Sequence, residues 1–335
     1  MTSKERLSRY LAGESVDRRP NLTIVGSVVT QYTGISVEEY CKNGKKMAES
    51  AALAADDLRL DYIQVASDLA REAEGFGSEL SFFPDKLPNV HKPAIDDIAD
   101  VAGLRPLNVA DVRRLSDLVE ATAYAKTLRT DVEPMTLVVG PATVAGNVRG
   151  MQDLLVDLYD DEEACRELFT ITTETALNLI RALADVGATA LYVADPVASL
   201  LSPAQYREMI LPCHKRIFAE MAKFGMHSRL HMCGNTEAIL PDSAGCGAQI
   251  LDIDHAVDFG KALDAAAGRC ILNGNIDPVA DVFSCDAAHT KAKMLATAAS
   301  VGNARAMFMP GCELPTKTPL KNVRAIADAL DEIGG

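Results

Sequence analysis

Ala190-Leu-Tyr-Val193 is a short apolar run set between two longer amphipathic ones, Asp160–Val186 and Pro203–Phe224. A strand between helices is the repeating unit of parallel α/β folds, because parallel neighbours need a crossover to join them. The alternation continues in both directions. Strand-like runs stand at Leu22–Gly26, Tyr62–Ala66, Thr136–Val139, Ala190–Val193, Ser228–Met232, Gln249–Ile253, Cys270–Leu272 and Ala306–Met309. Helical patterns also fill Pro278–Ser284, Ala287–Val301 and Leu320–Ile333. Eight strand–helix units predict an α/β fold of the (β/α)8 TIM-barrel type, as one domain over residues 1–335. Residues 1–20 read as an N-terminal helical extension. Residues 75–130 read as a long excursion after strand two, where Pro84, Pro88 and Pro93 mark irregular chain before a helix at Val109–Thr130. An open doubly wound sheet is the rival architecture. No Gly-x-Gly-x-x-Gly follows the first strand, which weakens its dinucleotide-binding version.

The bulk composition excludes more than it identifies. A chain of 335 residues that is 48% hydrophobic can bury a sizeable core. Its net charge of −14 repels phosphate backbones and anionic lipid, so nucleic acid and membranes are poor partners. No apolar run approaches the roughly 20 residues that span a bilayer. The N-terminus, Met1-Thr-Ser-Lys-Glu-Arg-Leu7, lacks the apolar core of a secretory signal, so a cytoplasmic protein is expected. Eight cysteines are too sparse for a disulfide scaffold and read as free thiols or metal ligands.

In a barrel, chemistry collects at the C-terminal ends of the strands. Two strings there stand out: Leu230-His-Met-Cys-Gly-Asn-Thr236 and Pro310-Gly-Cys-Glu-Leu-Pro315. Residues i and i+2 of a strand point the same way, so His231 and Cys233 can share one ion, with Cys312 arriving from a neighbouring rim. Two thiols and an imidazole suit Zn²⁺ and leave one tetrahedral position open. Such a site can bind a small-molecule thiol and deprotonate it. Glu72, with Glu74 as its alternative, could take the thiol proton or support the zinc-bound histidine. Asp195 could accept a hydrogen bond from His231 or face the substrate. Asn273, Gly274 and Asn275 end strand seven, where glycine permits close approach of a ligand.

Several strings resemble the uroporphyrinogen decarboxylase superfamily. They are His231-Met-Cys-Gly-Asn-Thr236, Asn273-Gly-Asn-Ile-Asp-Pro278 and Gly311-Cys-Glu-Leu-Pro-Thr-Lys-Thr-Pro319. Ala194-Asp-Pro-Val-Ala-Ser199, Leu201-Ser-Pro-Ala-Gln-Tyr-Arg-Glu208 and Leu211-Pro-Cys-His-Lys215 resemble its zinc-dependent branch, the methylcobamide:coenzyme M methyltransferases. The resemblance implies a barrel, zinc on His231, Cys233 and Cys312, and methyl transfer between a methylcobamide and a thiol such as coenzyme M. It implies a separate corrinoid protein as partner, since no Asp-x-His-x-x-Gly signature occurs here. Homocysteine or tetrahydrofolate remain alternative acceptors, and decarboxylation the alternative reaction. The decarboxylases carry Arg-Gln-Ala-Gly-Arg after strand one. The corresponding stretch here, Asn21–Thr30, has no arginine, so an acid-rich tetrapyrrole would lack its counter-charges.

Overall fold

The computed structural model describes residues 1–335. Its strands, in chain order, are β1 (Ile63–Val65), β2 (Glu79–Ser81), β3 (Asn89–Lys92), β4 (Pro134–Val139), β5 (Ala190–Ala194), β6 (His227–His231), β7 (Ile250–Asp252), β8 (Ile271–Asn273) and β9 (Ala306–Met307). Seven form one parallel sheet in the order β1-β4-β5-β6-β7-β8-β9. Nearly every residue of these seven is buried, as parallel strands demand when both faces are covered. The covering helices include Arg113–Leu128, Glu162–Asp185, Leu211–Lys223, Phe259–Ala266 and Ala287–Val301.

The helices form where the sequence allows caps and an apolar stripe. Glu162–Asp185 starts at Asp161, whose side chain accepts the Ala164 N–H, and Glu162 and Glu163 favour the positive end of its dipole. Leu320–Ile333 buries Val323, Ile326, Ala327 and Leu330, spaced to lie on one face. No helix is long and apolar enough to cross a membrane. The expected helix Pro203–Phe224 is interrupted by a π-turn at Tyr206–Ile210. Pro212 follows; it has no N–H to give the carbonyl of Glu208, which accepts instead from Arg166 Nη1 at 3.0 Å.

The first stave of the barrel differs from expectation. Leu22–Gly26 forms no strand ladder. Instead the Asn21 side-chain oxygen accepts the N–H of Thr23 at 3.3 Å and its hydroxyl at 2.8 Å. The N–H groups of Val25 and Gly26 both donate to Gln64 Oε1 at 3.0 Å. Side-chain acceptors have displaced the backbone pairing a strand would make. The segment still occupies the stave's place. Asp61 N–H donates to the Asn21 carbonyl at 3.0 Å, just ahead of β1, and Leu314 N–H donates to the Ile24 carbonyl at 3.1 Å, just beyond β9. It therefore bridges the two edge strands and closes the cylinder.

The N-terminal helix, Ser3–Ala12, is tied to the bottom of the barrel. Arg6 and Arg18 both donate to the fully buried carboxylate of Asp61. In the excursion, β2 and β3 pair as an antiparallel hairpin that was not expected. Its strands are short, partly exposed and separated by Pro84 and Pro88, so no alternating pattern marked them.

Gln64 thus supports the closing stave with one oxygen. Replacing it by leucine should leave the Val25 and Gly26 amides buried and unpaired, at about 1–3 kcal/mol each. The expected result is a lower unfolding midpoint in thermal or urea denaturation; an unchanged midpoint would show that the stave does not depend on it.

Candidate metal centre

His231 is the last residue of β6, and its carbonyl accepts the Asp195 N–H at 2.9 Å. The chain then turns at Gly234, whose φ of +84° lies in the left-handed region. The Gly234 N–H donates to Asp254 Oδ2 at 3.0 Å, which holds the turn and brings Cys233 beneath the imidazole. Cys312 arrives from the segment beyond β9. Gly311 permits that approach, since a Cβ there would sit 2.5 Å from the His255 backbone nitrogen. His231 Nε2 lies 3.0 Å from Cys233 Sγ and 3.6 Å from Cys312 Sγ, and the sulfurs are 2.6 Å apart. All three ligand atoms lie within 4.8 Å of one another, and both cysteines are free thiols.

The orientation of the imidazole is set from behind. His231 Nδ1–H donates to Asp252 Oδ2 at 2.9 Å. Asp252 ends β7, is fully buried, and accepts from Arg229 Nε at 2.8 and 2.9 Å and from Asn273 Nδ2 at 2.8 Å. With Nδ1 held on Asp252, Nε2 is the nitrogen that faces the sulfurs. A carboxylate behind a histidine in this way is the usual support of a ligating imidazole. Burial alone would disfavour the imidazolium, but the bonds to Asp252 and Cys312 outweigh it and lift His231 to about 9. The hydrogen bond from Cys233 lowers the Cys312 thiol; the same bond, with burial, pushes Cys233 well up. A divalent cation replaces such protons on binding, because its ligands must be thiolate and neutral imidazole. The donor set fits zinc, and three protein ligands leave one tetrahedral position free.

A cavity of about 90 Å³ opens over the sulfurs, walled by Ile24, Leu69, Leu87, Leu137 and Tyr192. Asp68 and Glu313 also face it. Glu313 went unnoticed in the sequence, although it directly follows Cys312. Strand alternation would have turned it away, but the chain has left β9 and both side chains reach the cavity. Burial, with the Cys312 thiolate beside it, raises the Glu313 carboxyl to about 7. Gly26 makes room for it: a Cβ there would lie 1.8 Å from Glu313 Oε1. A larger cleft of about 550 Å³ lies between helices Arg113–Leu128 and Glu162–Asp185 on the outside of the barrel, away from these groups.

The other expected site residues are placed differently. Asp195 is fully buried but its partner is His214, not His231. Its Oδ2 accepts from His214 Nε2 at 3.0 Å, and its Oδ1 accepts the N–H and hydroxyl of Thr143, both at 2.7 Å. It therefore anchors the start of helix Pro141–Arg149. Glu72 does not line the cavity. Its Oε1 accepts from Arg71 Nη2 at 2.7 Å and from the Val139 N–H at 3.3 Å, and Asp68 occupies the wall instead. Glu74 pairs outward with Arg114. Asn273 supports Asp252, as above. Gly274 permits a backbone crossing: a Cβ would sit 2.4 Å from the Ile253 carbonyl oxygen. Asn275 Nδ2 donates to the carbonyls of Asp254 and Val257, at 3.2 and 2.6 Å.

Comparison with known proteins gives a consistent family picture. The model of the family "Uroporphyrinogen decarboxylase (URO-D)" matches residues 2–333. The chain is 26% identical over 336 residues to methylcobamide:CoM methyltransferase MtbA of Methanosarcina acetivorans, covering 98% of this chain and 97% of that one. It is 26% identical over 345 residues to methylcobamide:CoM methyltransferase MtaA of Methanosarcina barkeri, covering 99% and 98%. Similarity to the uroporphyrinogen decarboxylase of Syntrophotalea carbinolica is 27% over 250 residues, covering 72% and 70%. Among solved structures, a methyltransferase from Methanosarcina mazei superposes with a TM-score of 0.89 at 24% identity, over 99% of both chains, which establishes the barrel fold.

If Asp252 fixes the tautomer of a metal-binding His231, Asp252→Asn should weaken metal affinity by about 10–100-fold. Competition against a chromophoric chelator would measure this. Unaltered affinity in the folded variant would remove the carboxylate from the site's support.

Proposed function

This chain belongs to the uroporphyrinogen decarboxylase family, and within it we propose a methyltransferase that moves a methyl group between a methylated corrinoid and a thiol. The observation that carries the proposal is the convergence of His231, Cys233 and Cys312 at the floor of a buried cavity. Similarity over essentially the whole chain to proteins named methylcobamide:CoM methyltransferases supports it. Coenzyme M is the thiol in those names; homocysteine or tetrahydrofolate are the other acceptors to be tried.

His231, Cys233 and Cys312 would hold zinc, which when bound supplies the Lewis acidity that lowers a thiol's pKa. Asp252, braced by Arg229 and Asn273, keeps His231 Nε2 aimed at the site. Glu313, beside the sulfurs, is placed to receive the proton the thiol gives up. The apolar walls limit water around the reacting sulfur. Run toward the thiol, the transfer would form an S–CH₃ bond as the Co–CH₃ bond of the corrinoid substrate breaks, with the electron pair staying on cobalt. Glu72, Asp195, Gly274 and Asn275 act in this reading as supports of the rim, not as reacting groups.

The corrinoid would arrive on a separate protein over the mouth of the barrel. Leu200, following β5, and Val279 and Phe283, following β8, leave apolar side chains exposed on segments at that end. Decarboxylation of a poly-acid tetrapyrrole is disfavoured, because Asn21–Thr30 offers no arginine. We place this chemistry in one-carbon metabolism and the protein in the cytoplasm as part of the same proposal.

The test is anaerobic demethylation of free methylcobalamin, followed by its visible spectrum with and without thiol. Zinc-loaded protein should demethylate it only when thiol is present, and Cys312→Ser should lose about 100-fold or more of the rate and most of its metal. Failure of zinc-loaded wild type with every thiol tried, folate acceptors included, would end this reading.

A further inference from the structure

We infer that the thiol taken by this site carries no negative charge on its tail, so that its substrate class is short neutral thiols rather than sulfonate or carboxylate thiols. The inference rests on the methyltransferase reading above and adds the substrate to it. None of the 16 residues lining the cavity is a lysine or an arginine. The carboxyl groups facing it are Asp68 and Glu313, and in either protonation state Glu313 supplies no positive charge. His231 is committed to the sulfurs and to Asp252.

A longer tail meets no better partner. Past Asp68, Leu69 and Leu87, which line both spaces, the cavity adjoins a second cleft of about 380 Å³ between the β2–β3 hairpin and the end of helix Pro141–Arg149. That cleft also has no lysine or arginine in its wall, and His91 there stands near Glu79, at 3.6 Å. The guanidiniums closest behind the walls each engage a carboxylate, although Arg71 Nε and Arg229 Nη1 are buried without a partner. Arg71 Nη2 donates to Glu72 and to the Leu137 carbonyl, Arg114 bonds Asp68 and Glu74, and Arg229 bonds Asp252. A sulfonate would have to enter a mostly apolar pocket beside Glu313, with Asp68 already paired to Arg114 and no lysine or arginine in the wall, which costs far more than a neutral group of that size. The cavity of about 90 Å³ is also smaller than the roughly 150 Å³ that accepts benzene in a dry protein interior, which suits a tail of few atoms.

The experiment compares thiols of equal length and different charge: 2-mercaptoethanol, cysteamine and 2-mercaptoethanesulfonate. Two readouts are taken on the metal-loaded protein: calorimetric binding of each thiol, and its kcat/KM in methylcobalamin demethylation. The neutral thiol should exceed the sulfonate by about 100-fold in both, with the cationic thiol between them or above. Leu87→Arg, which sets a guanidinium where the two spaces meet, should raise the ratio of sulfonate to 2-mercaptoethanol affinity about tenfold over wild type. Equal or better use of the sulfonate by wild type would overturn the inference and leave the methyltransferase reading standing. If no thiol binds or reacts, that reading falls and the inference falls with it.

Discussion

The hydrogen bond from His231 Nδ1 to Asp252 decides what the rest of the site can be. An imidazole with both nitrogens free has two neutral tautomers, and only one leaves Nε2 unprotonated toward the sulfurs. Asp252 makes that choice, and it can do so inside the barrel only because its own charge is met. Arg229, also fully buried, lies along one edge of the carboxylate, and the Asn273 amide reaches its Oδ1. A buried pair of this kind is a weak argument for stability, since replacing it with apolar groups is often neutral. Its value here is positional. Four successive staves contribute to it: β6 supplies Arg229 and His231, β7 Asp252, β8 Asn273, and the exit of β9 supplies Met309, whose Sδ lies 3.1 Å from both Arg229 Nη2 and Asn273 Nδ2.

That arrangement explains which parts of the site were legible in the sequence. The three ligand-type residues could be named because each sits where a strand pattern ends and a glycine follows or precedes it, at Gly234 and Gly311. The histidine's partner could not be named, because it depends on register. Asp195 and Asp252 both end strands adjacent to β6. In the β5–β6 ladder Ala194 faces His231, so Asp195 lies one residue further on and its side chain turns toward Thr143 and His214. In the β6–β7 ladder Leu230 faces Leu251, which sets Asp252 level with His231 on the same face. A shift of one residue exchanges the two candidates, and no feature of a single sequence sets that shift.

The departures in the fold have a similar origin. Leu22–Gly26 has the composition of a strand and the place of one, yet its polar groups are satisfied by Asn21 and Gln64 side chains instead of by a ladder. Short-range signals describe what a segment prefers, whereas a closing stave takes whatever hydrogen bonds its neighbours offer. The longest helices and the seven laddered strands were legible because propensity, pattern and burial agree there. Glu313 was hidden for the opposite reason. It lies in irregular chain, where neither the period of a strand nor that of a helix says which way a side chain points.

The distribution of charge around the cavity follows from this architecture. The arginines nearest the centre, Arg71, Arg114 and Arg229, are each spent on carboxylates that hold the backbone or the histidine in place. None of the three lines the cavity. Two thiolates and a neutral imidazole around a divalent cation would sum to no net charge, so zinc would not supply the missing positive field either. Of the two carboxyls that face the cavity, Asp68 is balanced by Arg114, which leaves Glu313 as the one without a paired cation. On the substrate proposal above, a pocket built this way would discriminate by charge without a dedicated selectivity residue. On the proposed reading, the Arg229–Asp252 pair that orients His231 also withholds a cation from an anionic substrate, so positional precision and substrate choice would share a contact.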